Sequence, residues 1–375
     1  MNDVLLRSED LTIGYAVRGR KEHVLASGLS VPLRRGEMVC LVGANGAGKS
    51  TLLRTLAGLQ NPLHGHILLK NAPDGNWVEL TNLDGRSLAR RISIVLTERV
   101  ESEALTAFDL AGLGRYPYTD WSGRLSKTDE TVVRWALQAV GAAALAGRNL
   151  HQLSDGERQK VMIARALAQQ AEIIILDEPT AFLDLPHRVE IMHTLKSLAR
   201  EEGKAILLST HDLDLALRSA DTLWVLARTP SAAALAMGAP EDLVLNGRLE
   251  AAFTHTSVQQ TSAIFDRRSG AFLPPTIAGP EIHLVGHGLS ALWTLRALQR
   301  EGFRISRRTG KGNDFYPTQV EVLNGNGERR WRVSEGNGAE SSGAESSGAE
   351  SSGVEEFYSI YELIAHLKAT LQVRS

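Results

Sequence analysis

Gly43-Ala44-Asn45-Gly46-Ala47-Gly48-Lys49-Ser50-Thr51 places a lysine and two hydroxyls directly after a glycine-rich turn. Glycines let successive backbone N–H groups converge on phosphate oxygens, and a helix starting there adds positive potential. Lys49 would then reach the β- and γ-phosphates of a bound nucleotide, and the Ser50 hydroxyl would hold Mg²⁺. A turn that bound nothing would leave Lys-Ser after the last glycine without a purpose. The apolar run Met38-Val39-Cys40-Leu41-Val42 before the turn reads as a buried strand, and Ser50-Thr51-Leu52-Leu53 after it reads as a helix start. A phosphate-binding loop requires this strand–loop–helix setting.

Other chemistry-bearing segments follow. Leu153-Ser154-Asp155-Gly156-Glu157-Arg158-Gln159 opens a helical stretch, with Ser154 and Asp155 suited to cap it. Ile173-Ile174-Ile175-Leu176 is an apolar run ending in Asp177-Glu178-Pro179, and Ala181-Phe182-Leu183-Asp184 comes soon after. Ser209-Thr210-His211-Asp212 closes the series, behind the apolar strand Ala205-Ile206-Leu207-Leu208. In this order, over about residues 1 to 245, these segments resemble the Walker A loop, signature motif, Walker B strand, D-loop and switch histidine of ABC ATPases.

The resemblance implies roles. Asp177 would hold Mg²⁺ through water, and Glu178 would be the general base for the attacking water. His211 would contact the γ-phosphate, and Tyr15, in Leu11-Thr12-Ile13-Gly14-Tyr15, would stack on adenine. In this family the nucleotide lies between two protomers. Ser154 and Gly156 would therefore meet the γ-phosphate bound at Lys49 of a partner chain, with Asp184 also at the nucleotide. One set of motifs per chain implies a homodimer with two ATP sites. Asp155 and Glu157 depart from the common Gly and Gln of the signature, while Gly156 is retained. The family also carries a Gln that touches Mg²⁺ and water after a strand resembling Arg91-Ile92-Ser93-Ile94-Val95. Here Thr97 falls at that position by register and Glu98 follows it; either could supply the missing oxygen.

The elements that must hold these residues are legible in outline. Residues 1 to 35 alternate apolar and polar, with turns at Arg18-Gly19-Arg20 and Arg35-Gly36, predicting an antiparallel layer. The strand before the phosphate loop, with residues 92–96, 173–176 and 205–208, predicts a mostly parallel core. Residues 105–116 and 129–140 have helical spacing and belong to a helical subdomain over about 104–168. The expected fold class is α/β: an ABC-type P-loop ATPase domain over 1–245, a connecting segment over 246–279, and a small α/β accessory domain over 280–375.

In the accessory domain, residues 281 to 306 read strand, glycine turn, helix, strand. Gly286, Gly288 and Ala291 fit a dinucleotide fingerprint, but Arg304, Arg307 and Arg308 stand where its acidic residue belongs. The remainder is too short for a two-half dinucleotide fold, so a tight turn in a small domain is the better reading. Gly-Ala-Glu-Ser-Ser then repeats across 338–352, a composition that cannot bury a core and predicts a disordered stretch over 338–353. Residues 357–367 regain helical spacing and are expected to pack back on the accessory domain.

Composition bounds the function. The 375 residues are 43% hydrophobic, enough for more than one domain, and the net charge of −2 offers no basic stripe for nucleic acid. Cys40, the single cysteine, sits in an apolar strand and reads as core rather than nucleophile. No signal peptide is read at the N-terminus, and no apolar run spans a bilayer. A membrane pore would have to be another chain.

Gly112-Leu113-Gly114-Arg115-Tyr116-Pro117 and the long signature run over 153–169 resemble importers of iron complexes, haem and cobalamin. The expected function is the ATP-hydrolysing subunit of such an importer, using ATP and Mg²⁺ at the cytoplasmic face of the inner membrane. Its expected partners are membrane-spanning permease subunits and, through them, an external solute-binding protein, with no nucleic acid. The alternative is a soluble ABC ATPase of metal-cluster assembly or of nucleic-acid repair or translation.

Overall fold

The computed structural model describes residues 3–16, 22–71, 75–96, 104–228, 233–254, 264–266, 271–273, 279–306, 318–325, 328–335 and 354–371. The turn at Arg18-Gly19-Arg20, the Thr97-Glu98 pair, Arg307, Arg308 and the repeat over 338–352 lie outside them. The chain divides into two compact units, Met1–Leu273 and Pro274–Ser375.

The first unit contains strands β1 (Val4–Tyr15), β2 (His23–Leu29), β3 (Pro32–Arg34), β4 (Met38–Gly43), β5 (His64–Lys70), β6 (Trp77–Glu79), β7 (Ile92–Val95), β8 (Ile173–Leu176), β9 (Ala205–Ser209), β10 (Thr222–Arg228) and β11 (Ala233–Gly238). Its helices are α1 (Lys49–Leu56), α2 (Gly85–Ala89), α3 (Ala107–Gly112), α4 (Lys127–Ala139), α5 (Asp155–Ala168), α6 (Leu185–Glu201), α7 (Leu213–Ser219), α8 (Pro240–Leu245) and α9 (Arg248–Thr254). The strands join in the order β6-β5-β1-β2-β11-β10-β4-β9-β8-β7, with β3 paired to β1. β12 (Ile264–Asp266) and β13 (Ala271–Leu273) form a separate antiparallel pair.

The run β10-β4-β9-β8-β7 is parallel, whereas β1 pairs antiparallel with β2, β3 and β5. Parallel strands are covered on both faces, which explains their unbroken apolar sequences. In β4, Met38, Cys40 and Val42 enter one core, shared with α5 and α6; Val39 and Leu41 enter the other, shared with α1 and the antiparallel strands. Burial pushes the Cys40 thiol up to about 12, so it is an inert core group.

The helical part differs in detail from the spacing-based expectation. α3 stops at Gly112 and continues as a 3₁₀ turn over Leu113–Arg115. Packing causes the change: a β-carbon on Gly114 would lie 2.1 Å from the Arg165 carbonyl oxygen of α5. Next to it, buried Arg115 donates to Asp129 Oδ1 (2.8 Å), the Ala168 carbonyl (2.7 Å) and Gln170 Oε1 (2.8 Å). Burial pushes the Asp129 carboxyl up, but hydrogen bonds from Ser126 and Arg115 hold it below the usual range. Ser126 and Asp129 also close a capping box, which starts α4 at Lys127 rather than Asp129.

The second unit holds β14 (Glu281–Val285), α10 (Gly288–Arg300), β15 (Arg304–Ser306), β16 (Thr318–Gly325), β17 (Glu328–Glu335), β18 (Val354–Phe357) and α11 (Ile360–Thr370). Its sheet runs β15-β14-β16-β17-β18. Ile282, Leu284, Val320, Val322, Trp331 and Val333 alternate onto one face and meet Leu298 of α10 and Leu363 and Leu367 of α11. Trp331 Nε1 donates to Thr294 Oγ1 at 2.6 Å, satisfying both buried polar groups.

Candidate functional site

β4 delivers the chain to the glycine turn, and α1 carries it away. A β-carbon on Gly43 would lie 2.4 Å from the Leu226 carbonyl oxygen of β10, so only glycine fits at the strand end. Gly48, with φ of 102°, is the N-cap of α1 and has no side chain to occupy the first-turn N–H groups. The loop residues Ala44, Asn45, Gly46 and Ala47 lie between, with the Ala47 N–H donating to the Ala44 carbonyl at 3.2 Å. Lys49 is 6% exposed, and its Nζ donates to the carbonyls of Gly43 (2.8 Å) and Ala44 (3.3 Å). Burial holds its ammonium below the usual lysine range, against the opposing pull of Glu178 and Asp177.

A chain of hydrogen bonds leaves this loop. Ser50 Oγ donates to Asp177 Oδ1 at 3.1 Å. Ser209 Oγ donates to the same oxygen at 2.7 Å and accepts from the Glu178 N–H at 2.9 Å. Glu178 Oε1 lies 2.5 Å from His211 Nε2. Glu178 has φ of 52°, a conformation costly for a side chain with a Cβ. The Ser209 hydroxyl, accepting from the Glu178 N–H, helps hold that turn. Ser209 is fully buried, and nothing in its local sequence beside His211 signals this role. Tyr15, about half exposed, shares a hydrogen bond with Thr51 Oγ1 at 3.0 Å, so its ring borders α1.

Ser154 and Gly156 belong to a second group. Ser154 N-caps α5, its N–H donating to Glu157 Oε2 at 2.9 Å while the Glu157 N–H donates back to Ser154 Oγ at 3.3 Å. This capping box explains the glutamate that departs from the common signature. These bonds, the Ser154 backbone N–H first, hold its carboxyl below the usual range. Asp155 pairs with Arg158 across one turn at 3.7 Å. Asp184 N-caps α6 by accepting from the His187 N–H at 3.2 Å. Arg188 ties this corner to the switch region, donating to the Leu183 carbonyl at 2.7 Å and pairing with Asp212 at 3.4 Å. Thr97 and Glu98 lie outside the described residues, so neither is positioned here.

The hydroxyl of Ser50 and the carboxylate of Asp177 converge beside the loop, and such an all-oxygen set suits a hard cation such as Mg²⁺. Among the described residues, no helix is long and apolar enough to cross a membrane.

Residues 26–181 match the ABC transporter family, and residues 278–345 match the iron ABC transporter C-terminal domain. An uncharacterized ABC transporter ATP-binding protein of Methanocaldococcus jannaschii is 41% identical over 240 residues, covering 64% of this chain and 78% of that protein. The ferric enterobactin transport ATP-binding protein of Escherichia coli is 37% identical over 239 residues, 64% of this chain and 83% of that one. The cobalamin import ATP-binding protein of Halobacterium salinarum is 37% identical over 285 residues, 73% and 67% respectively. Among solved structures, a Clostridium perfringens subunit of an ABC transporter complex is similar with TM-score 0.54 and 27% identity, covering 66% of this chain and 93% of that one. A dimeric bacterial ABC transporter cassette gives TM-score 0.51 and 27% identity, covering 59% and 94%.

Proposed function

Because this chain belongs to the family of ABC transporter ATP-binding proteins, and so to the ABC ATPases, we propose that it is the ATP-hydrolysing subunit of an importer for an iron complex, haem or cobalamin. The observation that carries the chemistry is the cluster beside the phosphate loop in which Ser50 and Ser209 both bond Asp177, Ser209 holds the Glu178 backbone N–H, and the Glu178 carboxylate meets His211.

On this reading the N–H groups of the loop and Lys49 hold the β- and γ-phosphates. Lys49 exchanges its bonds to the Gly43 and Ala44 carbonyls for phosphate oxygens. Ser50 and Asp177 would hold Mg²⁺, which supplies charge neutralisation at the phosphates. The Glu178 carboxylate accepts the proton of the attacking water, while His211 fixes its orientation. Tyr15 stacks on the base. Ser154, Gly156 and Asp184 complete the partner's site in a homodimer, so closure needs ATP on both sides. Thr97 or Glu98 takes the place of the family's Gln; Thr97→Ala and Glu98→Ala would then lower permease-stimulated hydrolysis more than ATP binding, as phosphate-release and binding assays would read.

The substrate class rests on relatives named for ferric enterobactin, achromobactin and cobalamin transport and on the match to the iron ABC transporter C-terminal domain. The expected partners are a multi-spanning permease and, through it, a solute-binding protein, with this subunit peripheral at the cytoplasmic face. The test is co-purification followed by uptake. A permease should accompany the chain, and Lys49→Ala should abolish uptake of a ferric siderophore, haem or cobalamin. Unchanged uptake of all three would overturn the import reading, and capture of a cluster-assembly scaffold would favour the alternative.

A further inference from the structure

Gly156 is expected to lie bare so that a partner's phosphate can approach. Within its own chain, however, it already has a neighbour. A β-carbon built on Gly156 would lie 3.0 Å from Cδ2 and 3.2 Å from Cγ of His187. The His187 ring therefore rests on the first turn of α5. The same ring turns its Nδ1 to Asp184 Oδ1, the oxygen that also accepts from the His187 backbone N–H. The ring's bond to Asp184 is the main reason that carboxyl sits below the usual range. One imidazole thus touches the signature glycine with its carbon edge and the D-loop carboxylate with a nitrogen. Three residues along α6, Glu190 pairs with Lys160 of α5 at 2.7 Å, so the two helices are tied at a second point on the same side.

We propose that His187 is a positioning residue that sets the spacing between Gly156 and Asp184, so that both reach the partner-bound nucleotide in register. This rests on the dimer reading given above. A fixed ring between two contacts that must close together removes an adjustment each would otherwise make separately. Displacements of an ångström at such contacts are known to lower turnover strongly. The ring is about half exposed, which leaves it room to be replaced without opening a cavity.

Two measurements on the full chain test the proposal. In thermal unfolding, Gly156→Ala should lower the melting temperature by about 2 °C or more in the parent and by clearly less in a His187→Ala background. Equal drops in both backgrounds would overturn the ring contact. In steady-state hydrolysis, His187→Ala should lower kcat about tenfold while ATP affinity stays within about twofold. His187→Asn, whose amide can donate to Asp184 from the Nδ1 position, should recover most of that loss. An asparagine variant no better than alanine, or ATP affinity falling in step with kcat, would overturn the positioning role. A parent that turned over no ATP would instead sink the functional reading, which the melting measurement does not use.

Discussion

Two strand-to-helix turns in this chain share a backbone device and differ in what surrounds it. At β4–α1, a β-carbon on Gly43 would collide with Leu226 of the neighbouring β10; at β14–α10, one on Gly286 would lie 2.8 Å from Val322 Cβ of the neighbouring β16. Both glycines have positive φ, 158° and 145°. The adjacent strand demands glycine in both places. After the first turn come Lys49 and Ser50, and across from them Asp177. After the second come Leu289, 64% exposed, and Ser290. Glycine spacing therefore reports how a helix leaves a sheet, and the charged and hydroxyl groups opposite it report whether a ligand is held.

If the first turn is chemical and the second architectural, substitutions should separate them. The largest effect is expected at Glu178→Gln, which keeps shape and removes the base. Hydrolysis should fall about a hundredfold or more, with ATP still bound and a dimer accumulating on gel filtration. Near-normal turnover would remove Glu178 from the role. Lys49→Ala should act earlier, weakening ATP affinity itself by calorimetry.

A smaller loss is expected at Ser209→Ala, which takes the Ser209 acceptor from the Glu178 N–H and one donor, the shorter of the two hydroxyl bonds, from Asp177 Oδ1. Turnover should drop roughly tenfold, with a higher Mg²⁺ requirement and little change in ATP affinity. A variant indistinguishable from the parent would make the buried hydroxyl a spectator.

The turns themselves can be exchanged for alanine. Gly43→Ala should reduce nucleotide affinity, whereas Gly286→Ala should lower thermal stability and leave ATP affinity within about twofold, since its collision is with a core valine. ATP binding lost on Gly286→Ala, or NAD binding by the parent that this substitution abolishes, would erase the contrast. The mildest change is expected from truncation after about Gly279: ATP binding intact, basal hydrolysis or its response to a permease shifted. A tenfold change in the open–closed equilibrium would need only ~1.4 kcal/mol. Loss of nucleotide binding in a still-folded truncated protein would contradict the accessory role.

The sequence made the phosphate loop, the carboxylate pair and the strand–turn–helix of the second unit readable because each is local. Strand β10 was not read, although Leu223-Trp224-Val225-Leu226 is a short apolar run, because such runs fit strand or buried helix equally. Yet β10 is the neighbour that forces glycine at position 43. Ser209 and His187 were equally hidden. Each acts on a residue about 30 positions away along the chain, and only the folded sheet and the seating of α6 on α5 bring the partners together. The glutamate at 157 was read as a departure from a family pattern; its cause is a capping box that three-residue spacing already allowed.

The seat of Arg115 has a mechanical meaning. α5 is 14 residues long, or ~21 Å at 1.5 Å per residue, with Ser154 at one end and the Ala168 carbonyl, gripped by Arg115, at the other. The loop beyond Arg115 exposes Tyr116 and Trp121. A load applied to that loop would reach the C-terminal end of a stiff rod through Arg115. Tilting such a rod by ~5° about its gripped end would swing its tip by about 2 Å. Gly114, pressed on the Arg165 carbonyl, leaves little slack at that end, so a helix loaded there would act as a lever rather than as a spring.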